Sequence, residues 1–144
     1  MEWGAGADTL EGGEGIDTLR GSIGDDILIV DSGPDQLQGD TGSDAFKLSK
    51  SNTASATILD FSATENDSIQ IGLGNSAILL QASQFNAGAG VSTATTLAQR
   101  ILYNTSTGAL FYDADGSGTQ FNPVQVAGLY NKAVLSATNI YLVL

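Results

Sequence analysis

Five aspartates stand nine residues apart: Asp8, Asp17, Asp26, Asp35 and Asp44. Two residues before each is a glycine (Gly6, Gly15, Gly24, Gly33, Gly42), and two residues after each is a large apolar side chain (Leu10, Leu19, Leu28, Leu37, Phe46). Carboxylates recurring at fixed spacing beside glycine suit a hard divalent cation, which takes about six to eight oxygens from carboxylates and backbone carbonyls. The charge distribution points the same way. Residues 3–47 hold ten acids against Arg20 and Lys47, a net of −8, together with ten of the chain's 18 glycines. Like charge at that density repels itself unless a cation is part of the structure. Ordinary turn chemistry explains Asp and Gly as residue types but not a nine-residue register.

Composition narrows the choices further. The 144 residues suffice for one domain, and a 42% hydrophobic content is enough for a core. The absence of His and Cys excludes His-based triads, the usual zinc sites, thiolate nucleophiles and disulfide scaffolds. A net charge of −11 opposes binding to nucleic acid or an anionic membrane. Met1-Glu2-Trp3-Gly4 lacks the features of a secretory leader, and no apolar run approaches the length of a membrane span. The Gly-rich stretch is no phosphate loop either, since it contains no Gly-Lys-Ser/Thr.

In blocks of nine, the segment reads WGAGADTLE, GGEGIDTLR, GSIGDDILI, VDSGPDQLQ and GDTGSDAFK. The shared pattern GGxGxDxUx, with U a large apolar residue, resembles the calcium-binding repeat of the RTX (haemolysin-type) family. The second block fits throughout. Trp3 replaces the first Gly in block one, Ser22 the second Gly in block three, and block four opens on Val30-Asp31. The resemblance implies an all-β fold, a short parallel β-roll or solenoid, in which six residues of each block turn and three form a strand. Two blocks complete one coil, so blocks i and i+2 stack about 4.8 Å apart. That stacking pairs Asp8 with Asp26, Asp17 with Asp35, and Asp26 with Asp44, giving about three calcium sites. Backbone carbonyls of Gly4, Gly6, Gly13, Gly15, Ser22, Gly24, Gly33 and Gly42 would complete them.

Thr53 stands where a sixth block needs Asp, so the roll is expected over residues 1–47. Its pattern already runs at residue 3, which reads as a chain cut from a longer repeat protein. Residues 48–144 then form a β-rich C-terminal cap with hairpins, packed as one unit with the roll. Strands are expected over 57–61 and 68–71 around a polar turn, in a hairpin over 100–112, and over 124–129 and 140–144, with one helical turn at 82–85 and a loop at 86–96. Ile58-Leu59-Asp60-Phe61, Arg100-Ile101-Leu102-Tyr103 and Asp113-Ala114-Asp115-Gly116 also resemble tails of secreted RTX proteins. Asp113 and Asp115, and Asp60 and Asp67, are secondary metal candidates. An EF-hand at Asp113 fails, because Val124 stands where the twelfth-position Glu belongs.

The resemblance implies a calcium-binding folding and secretion module of an extracellular bacterial protein. Its partners would be an upstream domain of the parent protein and a type I (ABC) exporter, which would read a signal at Asn139, Ile140, Tyr141, Leu142, Val143 and Leu144. Catalysis would reside in the upstream domain, since Asp113 and Asp115 in a Gly-rich turn lack the apolar setting of a catalytic acid. The alternative is an accessory carbohydrate-binding module of the kind epimerases carry, reaching anionic polysaccharide through bridging calcium, or an adhesin segment.

Overall fold

Three residues reading x-apolar-x make a strand that presents one side chain inward. In the computed structural model, which describes residues 4–50, 55–72, 74 and 76–143, these strands build a spiral. β1 (Thr9–Glu11), β3 (Ile27–Val30) and β5 (Ala45–Leu48) pair in parallel in one sheet, while β2 (Thr18–Ile23) and β4 (Gln36–Thr41) pair in parallel in the other. The register sets Leu10 beside Leu28 and Leu28 beside Phe46, with Leu19 beside Leu37. All five are buried in one core.

The spiral does not stop at Lys47. β6 (Ala56–Ile58) lies parallel to β4 with Ile58 beside Leu37, and β7 (Ser68–Ile71) lies parallel to β5 with Ile69 beside Phe46. The expected boundary followed the aspartate column. The apolar column continues past it, since Ile58 and Ile69 are both buried and burial drives the stacking. Ala56 precedes Thr57, the partner of Gln36, and so takes the place that Asp35 holds one coil earlier.

The remaining strands extend both sheets. β8 (Ala77–Leu79) and β13 (Ile140–Val143) complete the first, in the order β1-β3-β5-β7-β13-β8. The second runs β2-β4-β6-β12-β11-β10-β9, with β9 (Phe85–Gly88), β10 (Ile101–Asn104), β11 (Ala109–Tyr112) and β12 (Val124–Leu129). Roll and tail therefore share continuous sheets and one core, and the fold is all-β. The expected hairpin is β10–β11, antiparallel, with Gly108 at φ +82° just before β11.

Three expectations are corrected in detail. The strands at 56–58 and 68–71 lie in different sheets, so residues 59–67 cross between sheets instead of closing a hairpin. The loop expected from Asn86 begins within β9, because parallel pairing with β10 gives these small residues a ladder. The helical turn at 82–85 is a 3-10 turn over Ala82–Gln84. At the C-terminus, Ile140 and Leu142 are buried in β13 between β7 and β8, while Leu144 lies outside the described residues. Among the described residues, no helix is long and apolar enough to cross a membrane.

Truncating Leu28 to Ala should cost about 2–5 kcal/mol of unfolding free energy in saturating calcium. Ile16, 80% exposed, should tolerate Ile16→Ala within about 0.5 kcal/mol. Chemical denaturation of both variants checks the inward column.

Candidate metal centre

Each roll turn must reverse the chain in six residues, and the fourth-place glycines do so with φ between +123° and +137°. They are also the points of closest approach between coils. A Cβ on Gly24, Gly33 or Gly42 would come within 2.1, 1.6 and 2.0 Å of the carbonyl oxygens of Gly6, Gly15 and Gly24, respectively. Only glycine permits both the dihedral and the contact. The second-place residues Gly13 (φ +79°), Ser22 (φ +86°) and Asp40 (φ +67°) are left-handed too, whereas Asp31 of the divergent fourth block is not. The Gly4 carbonyl accepts the Ile23 N–H at 3.4 Å.

These turns place the aspartates in two files, one on each flank of the roll. On the first, the Asp8 N–H donates to Asp26 Oδ1 at 2.8 Å, Asp26 N–H to Asp44 Oδ1 at 2.9 Å, and Asp44 N–H to Asp67 Oδ1 at 2.9 Å. On the second, Asp17 N–H donates to Asp35 Oδ1 at 2.9 Å. The structure thus brings together all three pairs expected from the repeat. It adds a fourth step, Asp44 to Asp67, which the nine-residue count missed because the spacing there is 23 residues. The signal was present in the triplet Asp67-Ser68-Ile69, which repeats the Asp-x-apolar ending of Asp44-Ala45-Phe46.

The ladder uses Oδ1 of Asp26, Asp35, Asp44 and Asp67. Oδ2 of Asp17, Asp26, Asp35 and Asp44 is buried and without a hydrogen-bond partner. Leaving a buried carboxylate oxygen unpaired is costly, and four repetitions of the omission mark a place for a cation. Among the described residues, no three acidic side chains converge on one point. An ion here therefore needs the turn carbonyls as well as the Asp pair, which matches the oxygen-rich demand of calcium.

Electrostatics agrees. Burial pushes the Asp44 carboxyl up to about 6; the Asp26 N–H opposes this, and the charges of Asp67, Asp26 and Asp60 add to the rise. Asp35 is raised mainly by burial, with the Asp17 charge adding. Part of the acid load is offset elsewhere, by the ion pair of Arg20 Nε with Asp40 Oδ2 at 2.6 Å.

The secondary candidates behave differently. Asp60 accepts the Gly39 N–H at 3.0 Å on Oδ1 and the Asp40 N–H at 2.8 Å on Oδ2. Asp67 accepts Ser62 N–H at 2.8 Å on the oxygen the ladder leaves free. Both tail carboxylates thus cap the end of the roll with backbone hydrogen bonds. Asp113, raised mainly by burial, accepts the Asp115 N–H at 3.2 Å. Asp115 Oδ2 accepts the N–H groups of Gln120 and Phe121 at 2.9 and 3.3 Å, and its Oδ1 is buried without a partner. This pair organises its own turn, away from the two files.

A roll whose coils present stacked aspartates between glycine turns is the architecture of a calcium-binding repeat protein. Residues 4–37 match the RTX calcium-binding nonapeptide repeat in four copies. The chain therefore carries a calcium-binding module. It is also similar to the solution structure of the AlgE6R3 subunit from the Azotobacter vinelandii mannuronan C5-epimerase, at 26% identity and a TM-score of 0.55, over 97% of this chain and 75% of that one. No curated protein matches the chain.

Two outcomes follow. A raised carboxyl pKa stabilises the fold below the unfolded value, and that stability is lost as pH rises through the folded one. Metal-stripped protein should accordingly lose thermal stability between pH 4 and about pH 6, measured by circular dichroism melts; a rise over that window contradicts the assignment. Asp60→Ala should lower the unfolding free energy in saturating calcium by about 1–3 kcal/mol without changing the number of ions bound, as counted by native mass spectrometry.

Proposed function

We propose that the chain is a calcium-dependent folding and secretion module of an extracellular bacterial protein. The observation that carries the reading is the set of buried, unpartnered Oδ2 atoms on Asp17, Asp26, Asp35 and Asp44. The pairs Asp8–Asp26, Asp26–Asp44 and Asp17–Asp35 would hold three ions, with carbonyls of the left-handed turn residues filling each shell. Bound calcium supplies the positive charge that lets these carboxylates approach one another.

The chain's own residues set the rest of the mechanism. Without metal, the net −8 of residues 3–47 favours an expanded, unfolded segment, a form suited to threading through a type I exporter. With calcium, the inter-coil N–H to Oδ1 bonds and the leucine column close together. At tenfold over its dissociation constant each ion adds about 1.4 kcal/mol, so three add roughly 4, against a typical total of about 5–15 kcal/mol. Extracellular location, an exporter reading residues 139–144, and any catalysis lodged in an upstream domain belong to the same proposal. β13, which carries residues 140–143, sits inside the cap, so that signal would be legible only before folding.

A second reading is an accessory module joined to a carbohydrate-active enzyme, or an adhesin segment. The likeness to the epimerase subunit along 97% of the chain favours the first of these.

Calcium titration of chelated protein, followed by far-ultraviolet circular dichroism, tests the leading reading. A steep gain of β-signal reversed by chelator is expected, and Asp26→Asn, which touches two pairs, should weaken it more than Asp35→Asn. Full folding in excess chelator at neutral pH would overturn it.

A further inference from the structure

Beyond the roll, a cleft of about 390 Å³ opens between the turn over residues 62–67 and the 3-10 turn Ala137–Asn139 with the start of β13. Its walls include Asn66, Asp67, Ser68, Thr138, Asn139 and Tyr141. That volume is within the roughly 300–1,000 Å³ range of small-ligand sites, but such sites are usually lined by apolar groups. This one is lined by amides, hydroxyls and a carboxylate.

The polar groups are largely unspent. The Asn66 amide, the Ser68 hydroxyl and the Tyr141 phenol have no hydrogen bond to another described residue. Asn139 uses its side-chain oxygen on Ser136 and keeps its two N–H donors. Beside them, Tyr141 stands opposite Leu79 across the β13–β8 pair, and the two are 37% and 47% exposed. Directly opposed residues of an antiparallel pair share a face, so an aromatic–aliphatic ledge borders the amide and hydroxyl wall.

Hydrogen-bonding groups of both senses next to a flat apolar ledge match the surface of one ligand class, a sugar ring. Its hydroxyl edge takes amides and hydroxyls, and its C–H face lies on an aromatic ring. Charge selects among sugars. No Lys or Arg lines the cleft, and Asp67 does, so a carboxylated or sulfated ring would meet repulsion without a counter-ion. We propose that this cleft binds an uncharged saccharide, with Tyr141 as the stacking platform and Asn66, Ser68 and Asn139 as the hydrogen-bonding edge. The proposal does not depend on the calcium reading: Asp67, which lines the cleft, has both carboxylate oxygens on backbone N–H groups.

The test is a two-dimensional amide NMR titration of the calcium-loaded full chain with neutral cello-, manno- and malto-oligosaccharides, and in parallel with mannuronate and guluronate oligomers. Shifts confined to residues around 66–68 and 138–141 with at least one neutral probe are expected. Tyr141→Ala should weaken that binding by roughly tenfold or more. Asn66→Gly, which suits the φ of +67° at that position, should weaken it while leaving the fold intact, and so serves if Tyr141→Ala does not fold. The absence of shifts with every neutral probe at millimolar concentration, or shifts at the cleft with the uronate oligomers alone, overturns the proposal.

Discussion

The whole roll depends on a carboxylate that is half satisfied. In the three steps between repeat aspartates, one aspartate oxygen accepts the main-chain N–H of the aspartate below it. The other oxygen is removed from water with nothing to accept. The first bond sets the spacing of the coils, and the second atom creates a demand that a cation or a proton meets. A raised Asp44 pKa is the protonic answer to that demand, and calcium is the ionic one. The apolar ladder of Leu10, Leu28, Phe46 and Ile69 supplies the cohesion, but it must hold against the charge gathered on the flanks.

The end of the roll shows the same principle by contrast. Asp67 completes the aspartate file, yet its second oxygen takes the Ser62 N–H. Asp60 is likewise saturated by Gly39 and Asp40. Peptide N–H groups do here what an ion would do in the preceding coils, so the last coil is closed by hydrogen bonds from groups that the chain always carries. On the other flank the file ends at Ala56, which removes the charge altogether. Continuous sheets from β1 to β8 and from β2 to β9 then join this cap to the coils of the roll.

Sequence periodicity exposes the roll because its geometry is local: Gly, Asp and the apolar residue each have a fixed place, and every place has one physical requirement. Periodicity gives the three Asp pairs, the buried column and the glycine turns. It fails where spacing lengthens. The steps from Leu37 to Ile58 and from Phe46 to Ile69 insert residues that leave the strand register intact but hide it from a nine-residue count. The tail is less legible still. Its hairpin at Gly108 follows from turn chemistry, but β9 is a strand only because β10 pairs with it. The cleft at Tyr141 gathers residues some seventy positions apart, which no short-range pattern reports. Asp60 and Asp67 were visible as acids, but their capping role rests on backbone N–H groups contributed by distant turns.

The most direct measurement is anomalous scattering from crystals of the calcium-loaded chain. Peaks within about 2.3–2.6 Å of carboxylate oxygens on Asp26, Asp35 and Asp44, repeated along both flanks, are what the account predicts. A well-ordered roll whose buried Oδ2 atoms have no peak beside them in saturating calcium would contradict it.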